Sequence, residues 1–158
     1  MQTFGLPLML ALSVPIYITN PNLDGADSRT FSLATARNHQ RPLLLFAPYG
    51  SDPLLREQLD LLRTHDLLDR NVIIVPVPVH GISLSPQNLD GSVFAHMKAD
   101  ETGAVRQRFH IAPAEFTVVL LGKDGGEKLR SKTPVTMDRL NRLIDAMPMR
   151  QHEISLQH

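Results

Sequence analysis

Leu43-Leu44-Leu45-Phe46-Ala47-Pro48-Tyr49-Gly50-Ser51-Asp52-Pro53-Leu54 is the stretch on which the fold turns. Its first four residues read as a buried strand. Asp52 is placed to cap a helix, and Pro53 suits the first helical position, where its missing N–H leaves no bond unmade. Leu55, Leu59 and Leu62 recur at helical spacing behind it, so the expectation is one helix ending near Leu67 or Leu68. Val72-Ile73-Ile74-Val75 follows as a β-branched run, closed by Pro76 and Pro78. Strand, helix and strand in so short a span form a crossover unit whose two strands lie parallel.

The chain of 158 residues is 42% hydrophobic and 20% charged, which suits a single domain with a real core. Its 16 basic residues balance 16 acidic ones, so no net charge attracts nucleic acid or an anionic lipid surface. Residues 1–105 hold 7 basic and 10 acidic side chains and residues 106–150 hold 9 and 5, a segregation read as solvated faces rather than a polyanion site. There is no cysteine. That removes disulfides, thiolate nucleophiles and Cys-ligated zinc together. His39, His65, His80, His96, His110 and His152 are spread too widely for a recognised ligand spacing, and neither a metal nor a cofactor is implied.

The rest of the chain divides around this core. Residues 6–18 are apolar, too few to span a bilayer but long enough for a signal-peptide core, although Pro7 and Pro15 interrupt them and no basic residue precedes them. Residues 1–28 therefore read as a degenerate export signal and linker, or as an apolar arm packed on the domain. Residues 29–150 form the domain, and residues 151–158 a flexible tail. Residues 80–101 read as an irregular insertion with an extended piece at 93–97, after which Thr102 caps a short helix carrying Val105 and Phe109. Phe116 to Leu121 is a continuous apolar strand, Lys123-Asp124-Gly125-Gly126 a hairpin turn, and residues 127–131 the antiparallel return. Thr136 caps a last helix with Met137, Leu140, Leu143, Ile144 and Met147 on one face, and Pro148 stops it.

This order of elements is that of an α/β, thioredoxin-like fold: a four- to five-stranded mixed sheet with helices on both faces, with an extra strand or helix drawn from residues 31–39. In thioredoxins the turn at this register carries Cys-x-Pro-Cys, where this chain has Ser51-Asp52-Pro53-Leu54. Thioredoxins also place a proline before the Thr that opens the third strand, where this chain has Phe116 before Thr117.

Three blocks carry a more specific likeness. They are Arg41-Pro42-Leu43-Leu44-Leu45-Phe46-Ala47-Pro48 with Asp52, Pro53 and Gln58; Arg108-Phe109 with residues 116–126 and Lys128-Leu129-Arg130-Ser131; and Ile144-Asp145-Ala146-Met147-Pro148-Met149-Arg150. Together they resemble the P-DUDES family, whose members occur in bacterial exported proteins and in animal extracellular proteins with sushi repeats. The resemblance implies a thioredoxin- or peroxiredoxin-like fold and a periplasmic or extracellular location, with the cytoplasm as the alternative. It supplies no agreed catalytic residue.

On physical grounds the candidate ligand-binding turn is Tyr49, Gly50, Ser51 and Asp52. A helix N-terminus at the carboxyl end of a parallel strand offers unpaired N–H groups to an anion, unless Asp52 takes them itself. His80 is an accessory candidate as a base for Ser51, although no Gly-x-Ser-x-Gly elbow is present. Arg108 is the other accessory candidate; with Arg106, Arg130 and Lys132 it forms either a basic rim or ordinary exposed charges that discourage edge pairing. Two function classes remain. One is a non-catalytic, exported binding module whose partner is an unknown protein or small-molecule ligand. The other is an oxidoreductase-like enzyme working without cysteines of its own, which the lack of a thiolate disfavours.

Overall fold

The computed structural model describes residues 30–81 and 87–157, so the export-signal reading of residues 1–28 lies outside the described residues. The chain runs β1 (Thr30–Phe31), α1 (Leu33–Ala36), β2 (Arg41–Tyr49), α2 (Pro53–Asp60), α3 (Thr64–Asp69) and β3 (Val72–His80). It continues through β4 (His96–Met97), α4 (Ala99–Phe109), β5 (Thr117–Leu121), β6 (Glu127–Ser131), α5 (Met137–Asp145) and α6 (Pro148–Ser155). Four strands make one mixed sheet in the order β3-β2-β5-β6. The expected parallel pair is present, with Leu43 opposite Ile74 and Leu44 opposite Val75. β5 and β6 join it antiparallel through the hairpin at residues 122–126. β1 and β4 form a separate parallel ribbon, not a fifth strand of the sheet.

Alternation along β2 divides the interior in two. Leu43, Leu45 and Ala47 enter a core built with Leu55, Leu59, Leu62 and Leu67 of the crossover and with Met137, Leu140 and Ile144 of α5. Leu44 and Phe46 enter the other core, with Val105 and Phe109 of α4 and Phe31 and Ala36 from the start of the domain. Each buried leucine or phenylalanine stabilises the fold by roughly 1.5–3 kcal/mol relative to exposure. β3 is an edge strand, and its Pro76 and Pro78 have no N–H with which to recruit another strand.

Four expectations are corrected. The helix after Pro53 is not continuous to Leu67: α2 ends at Asp60 and α3 begins at Thr64. Leu55, Leu59 and Leu62 share a helical face, but Leu67 falls one residue off that spacing, and the break returns it to the core. Thr102 is not a cap. α4 starts at Ala99, and the Thr102 hydroxyl donates to the Ala99 carbonyl from inside the helix. Pro148 does end the preceding element, since α5 stops at Asp145, but it also occupies the first turn of α6. Residues 151–155 are therefore helix rather than flexible tail, because charged groups dock α6 onto the sheet.

Arg41, wholly buried at the start of β2, donates to Glu153 Oε1 at 3.1 Å and to the Arg70 carbonyl at 2.7 Å. Lys123 reaches the same Glu153 carboxylate at 2.7 Å. Arg150 binds Asp69 at 2.6 Å and Asp145 at 3.5 Å, and Arg70 binds Asp145 at 2.7 Å. Burial alone would raise the Glu153 and Asp145 carboxyls, but their hydrogen bonds and the adjacent cations outweigh it and hold both below the usual range. A carboxyl whose folded pKa lies below its unfolded value stabilises the fold above the unfolded value, roughly pH 4. That stabilisation is lost as pH falls through the lower folded value. Urea midpoints should therefore drop as pH falls below about 5, and Glu153→Gln should flatten that dependence.

Gln58 of α2 is fully buried, donating to the Val135 carbonyl at 3.0 Å and accepting from the Val135 N–H at 2.6 Å. It pins α2 to the segment that leads into α5. Gln58→Leu leaves both backbone groups of Val135 without a partner, and chemical denaturation should show a loss of roughly 2–4 kcal/mol.

Candidate functional site

The turn after β2 is assembled as its residue types suggest. Tyr49 lies opposite His80 in the β2–β3 register, and their rings approach with centroids 5.6 Å apart. The Gly50 N–H donates to the His80 carbonyl at 2.9 Å, closing the end of the parallel pair. Asp52 then caps α2, its Oδ1 accepting from the N–H groups of Leu54 at 2.9 Å and Leu55 at 3.3 Å. The carboxylate thus fills the place that an external anion would take. Tyr49 is 56% exposed and Ser51 is exposed beside it. Among the described residues no hydrogen bond joins Ser51 to His80, so no nucleophile–base pair is formed.

Beneath this turn sits a residue whose role the sequence did not disclose. Arg106 is not an exposed helix charge, as expected, but buried in the last turn of α4, with only 7% of its surface accessible. Its Nη2 donates to the Ala47 carbonyl at 2.6 Å and the Val77 carbonyl at 2.9 Å, and its Nη1 to the Ala112 carbonyl at 2.9 Å. The guanidinium stands 5.5 Å from the centre of the Phe46 ring. Burial pushes its pKa down, against the pull of the Glu115 charge. Carbonyl dipoles, rather than a bonded carboxylate, stabilise the cation here. One sequence signal pointed inward: Arg106 precedes Phe109 by three residues, on the flank of the buried face.

The remaining members of the expected basic rim separate. Arg130 pairs with Glu127 at 2.8 Å and Lys132 with Glu115 at 2.9 Å. Arg108 lies 5.4 Å from the Phe109 ring and lines a cavity of about 260 Å³ with Arg37, Pro42 and Leu121. Those residues mark the amino end of β2, whereas Tyr49–Asp52 lies at its carboxyl end, so Arg108 does not join the turn. Met147 is core, while Met149 is 43% exposed. No group of three or more His, Asp or Glu side chains placed to hold a metal occurs among the described residues.

The sheet order, the two-sided helical cover and the strand-to-helix turn define a thioredoxin-like domain. It resembles a 2-Cys peroxiredoxin of Plasmodium vivax at 16% identity and TM-score 0.53, over 77% of this chain and 72% of that one. A thioredoxin peroxidase of Plasmodium yoelii matches at 20% identity and TM-score 0.52, over 78% and 80%. A secreted disulfide oxidoreductase of Mycobacterium tuberculosis aligns at 17% identity and TM-score 0.49, over 74% and 88%. At such identities the likeness concerns the fold alone. Residues 32–153 match the model of a domain of unknown function, DUF4174, and the chain belongs to that family. No curated protein matches it.

The two polar anchors of the turn should differ in weight. Asp52→Ala is expected to cost about 1 kcal/mol through the lost cap. Arg106→Met leaves three carbonyls without their donor and should cost roughly 2–4 kcal/mol. Arg106→Lys should recover only part of it, because an ammonium lacks the planar fork. Urea unfolding of the three variants measures the series.

Proposed function

We propose that this protein is a non-catalytic thioredoxin-like module that works by binding, outside the cytoplasm. The observation that carries the reading is the occupied turn: Asp52 takes the Leu54 and Leu55 N–H groups, and the positions where thioredoxins carry their two thiols are Ser51 and Leu54, in a chain without cysteine. Thiol–disulfide exchange and peroxide reduction both proceed through a thiolate, and this chain has none to offer. The P-DUDES resemblance of the three sequence blocks supports an exported location, as does the apolar run at residues 6–18. Exposed Tyr49, its ring tilted against that of His80 at the rim of the sheet, is an amphipathic contact of the kind that recognition surfaces favour.

The purified chain is expected to show no turnover above buffer in insulin-reduction and peroxide-consumption assays. Turnover that disappears in Ser51→Ala or Tyr49→Phe would overturn the reading. Affinity capture from the envelope and the medium should retain a partner, and N-terminal sequencing of the native product tests export.

A further inference from the structure

We propose that the cavity between α1, α4 and the β5–β6 hairpin binds a small organic oxyanion: a carboxylate or phosphate monoester carrying a short apolar portion. This site lies at the opposite end of the sheet from the Tyr49 turn and goes beyond the binding-module reading, on which it does not depend. Its volume of about 260 Å³ lies just below the range of drug-sized ligand pockets, which limits any occupant to a small molecule. Arg37 and Arg108 both line it, and among the described residues neither has an acidic partner within ion-pair distance. One acid, Asp124, also lines the cavity, but its carboxylate is engaged: Lys128 holds its Oδ2 at 2.7 Å and the Gly126 N–H its Oδ1 at 3.1 Å. Two guanidiniums therefore line the cavity without an ion-pair partner among the described residues. The guanidinium fork is the side-chain group best matched to a planar or tetrahedral oxyanion.

The walls are already in place. The Asn38 N–H donates to the Lys123 carbonyl at 2.7 Å, which ties the end of α1 to the hairpin. Gly122 and Gly126 close the turn at 2.8 Å, and Gly125 takes φ +79°, a conformation that a side chain would strain. A Cβ at Gly125 would stand 3.8 Å from Arg37 Nε, so the turn backbone packs directly beside that guanidinium. Arg108 is steadied against the Phe109 ring. Leu33, Pro42 and Leu121 supply the apolar lining. A site preformed in this way loses little ordering entropy when it is filled.

Amide NMR titration of the full chain with hexanoate, phenyl phosphate and inorganic phosphate tests the inference. Hexanoate or phenyl phosphate should shift the Ala34, Arg37, Gly122 and Gly125 amides saturably, and inorganic phosphate should bind more weakly because it leaves the apolar lining unused. The tighter of the two organic probes identifies the anion class. Arg37→Gln and Arg108→Gln should each weaken binding by roughly tenfold or more, while Arg139→Gln, an exposed α5 control, should leave it unchanged. Both cavity arginines are exposed, so either variant reports independently if the other misfolds. Absence of saturable shifts, binding as tight in both cavity variants as in the unaltered chain, or shifts confined to Tyr49–Asp52 would overturn the proposal. None of these results bears on the redox assays, so the two readings fail separately.

Discussion

The constraint on which the structure depends is the burial of β2 on both faces. A strand with Leu43, Leu44, Leu45 and Phe46 all at 0% exposure must pair along both edges and be covered above and below. Its neighbours β3 and β5 satisfy the first requirement. The crossover and α5 cover one face, and α4 with the first residues of the domain cover the other. Once both faces are closed, only the two ends of the sheet remain for polar chemistry. The charged and hydrogen-bonding side chains have collected there.

The two ends are finished differently. Towards the carboxyl end, Arg106 bridges the Ala47 and Val77 carbonyls of β2 and β3 while Asp52 caps the helix that follows. At the amino end, Arg41, Arg70, Lys123 and Arg150 interlock with Asp66, Asp69, Asp145 and Glu153, a balanced set of cations and carboxylates that holds α6 against the sheet. Beside that closed network lies the cavity lined by Arg37 and Arg108, whose charges it does not compensate. The carboxyl end is thus closed by bonded groups, while at the other end Arg37 and Arg108 have no acidic partner among the described residues.

Legibility followed the range of the interactions. The hairpin at Gly125, the Asp52 and Thr136 caps and the helical face of α5 rest on residues a few positions apart, and each was readable; the parallel pair that sets Leu43 opposite Ile74 was readable through the short crossover between its strands. The break between α2 and α3 was not, because α2 ends where Leu67 must re-enter the core, and only packing sets that point. Arg106 was misread for a related reason. A helical arginine is usually solvated, and nothing local reveals that the ends of two distant strands will need a donor.

Residue order by itself determined the four strands of the main sheet, the crossover and the absence of thiol chemistry, because hydrophobic period, turn residues and the lack of cysteine are properties of the chain before it folds. Tertiary structure alone decided which charges are buried, which arginines keep their partners, and that residues 151–155 form a docked helix. Ion pairs such as Arg41–Glu153 join residues 112 positions apart, and their energy exists only once the sheet has brought those positions together.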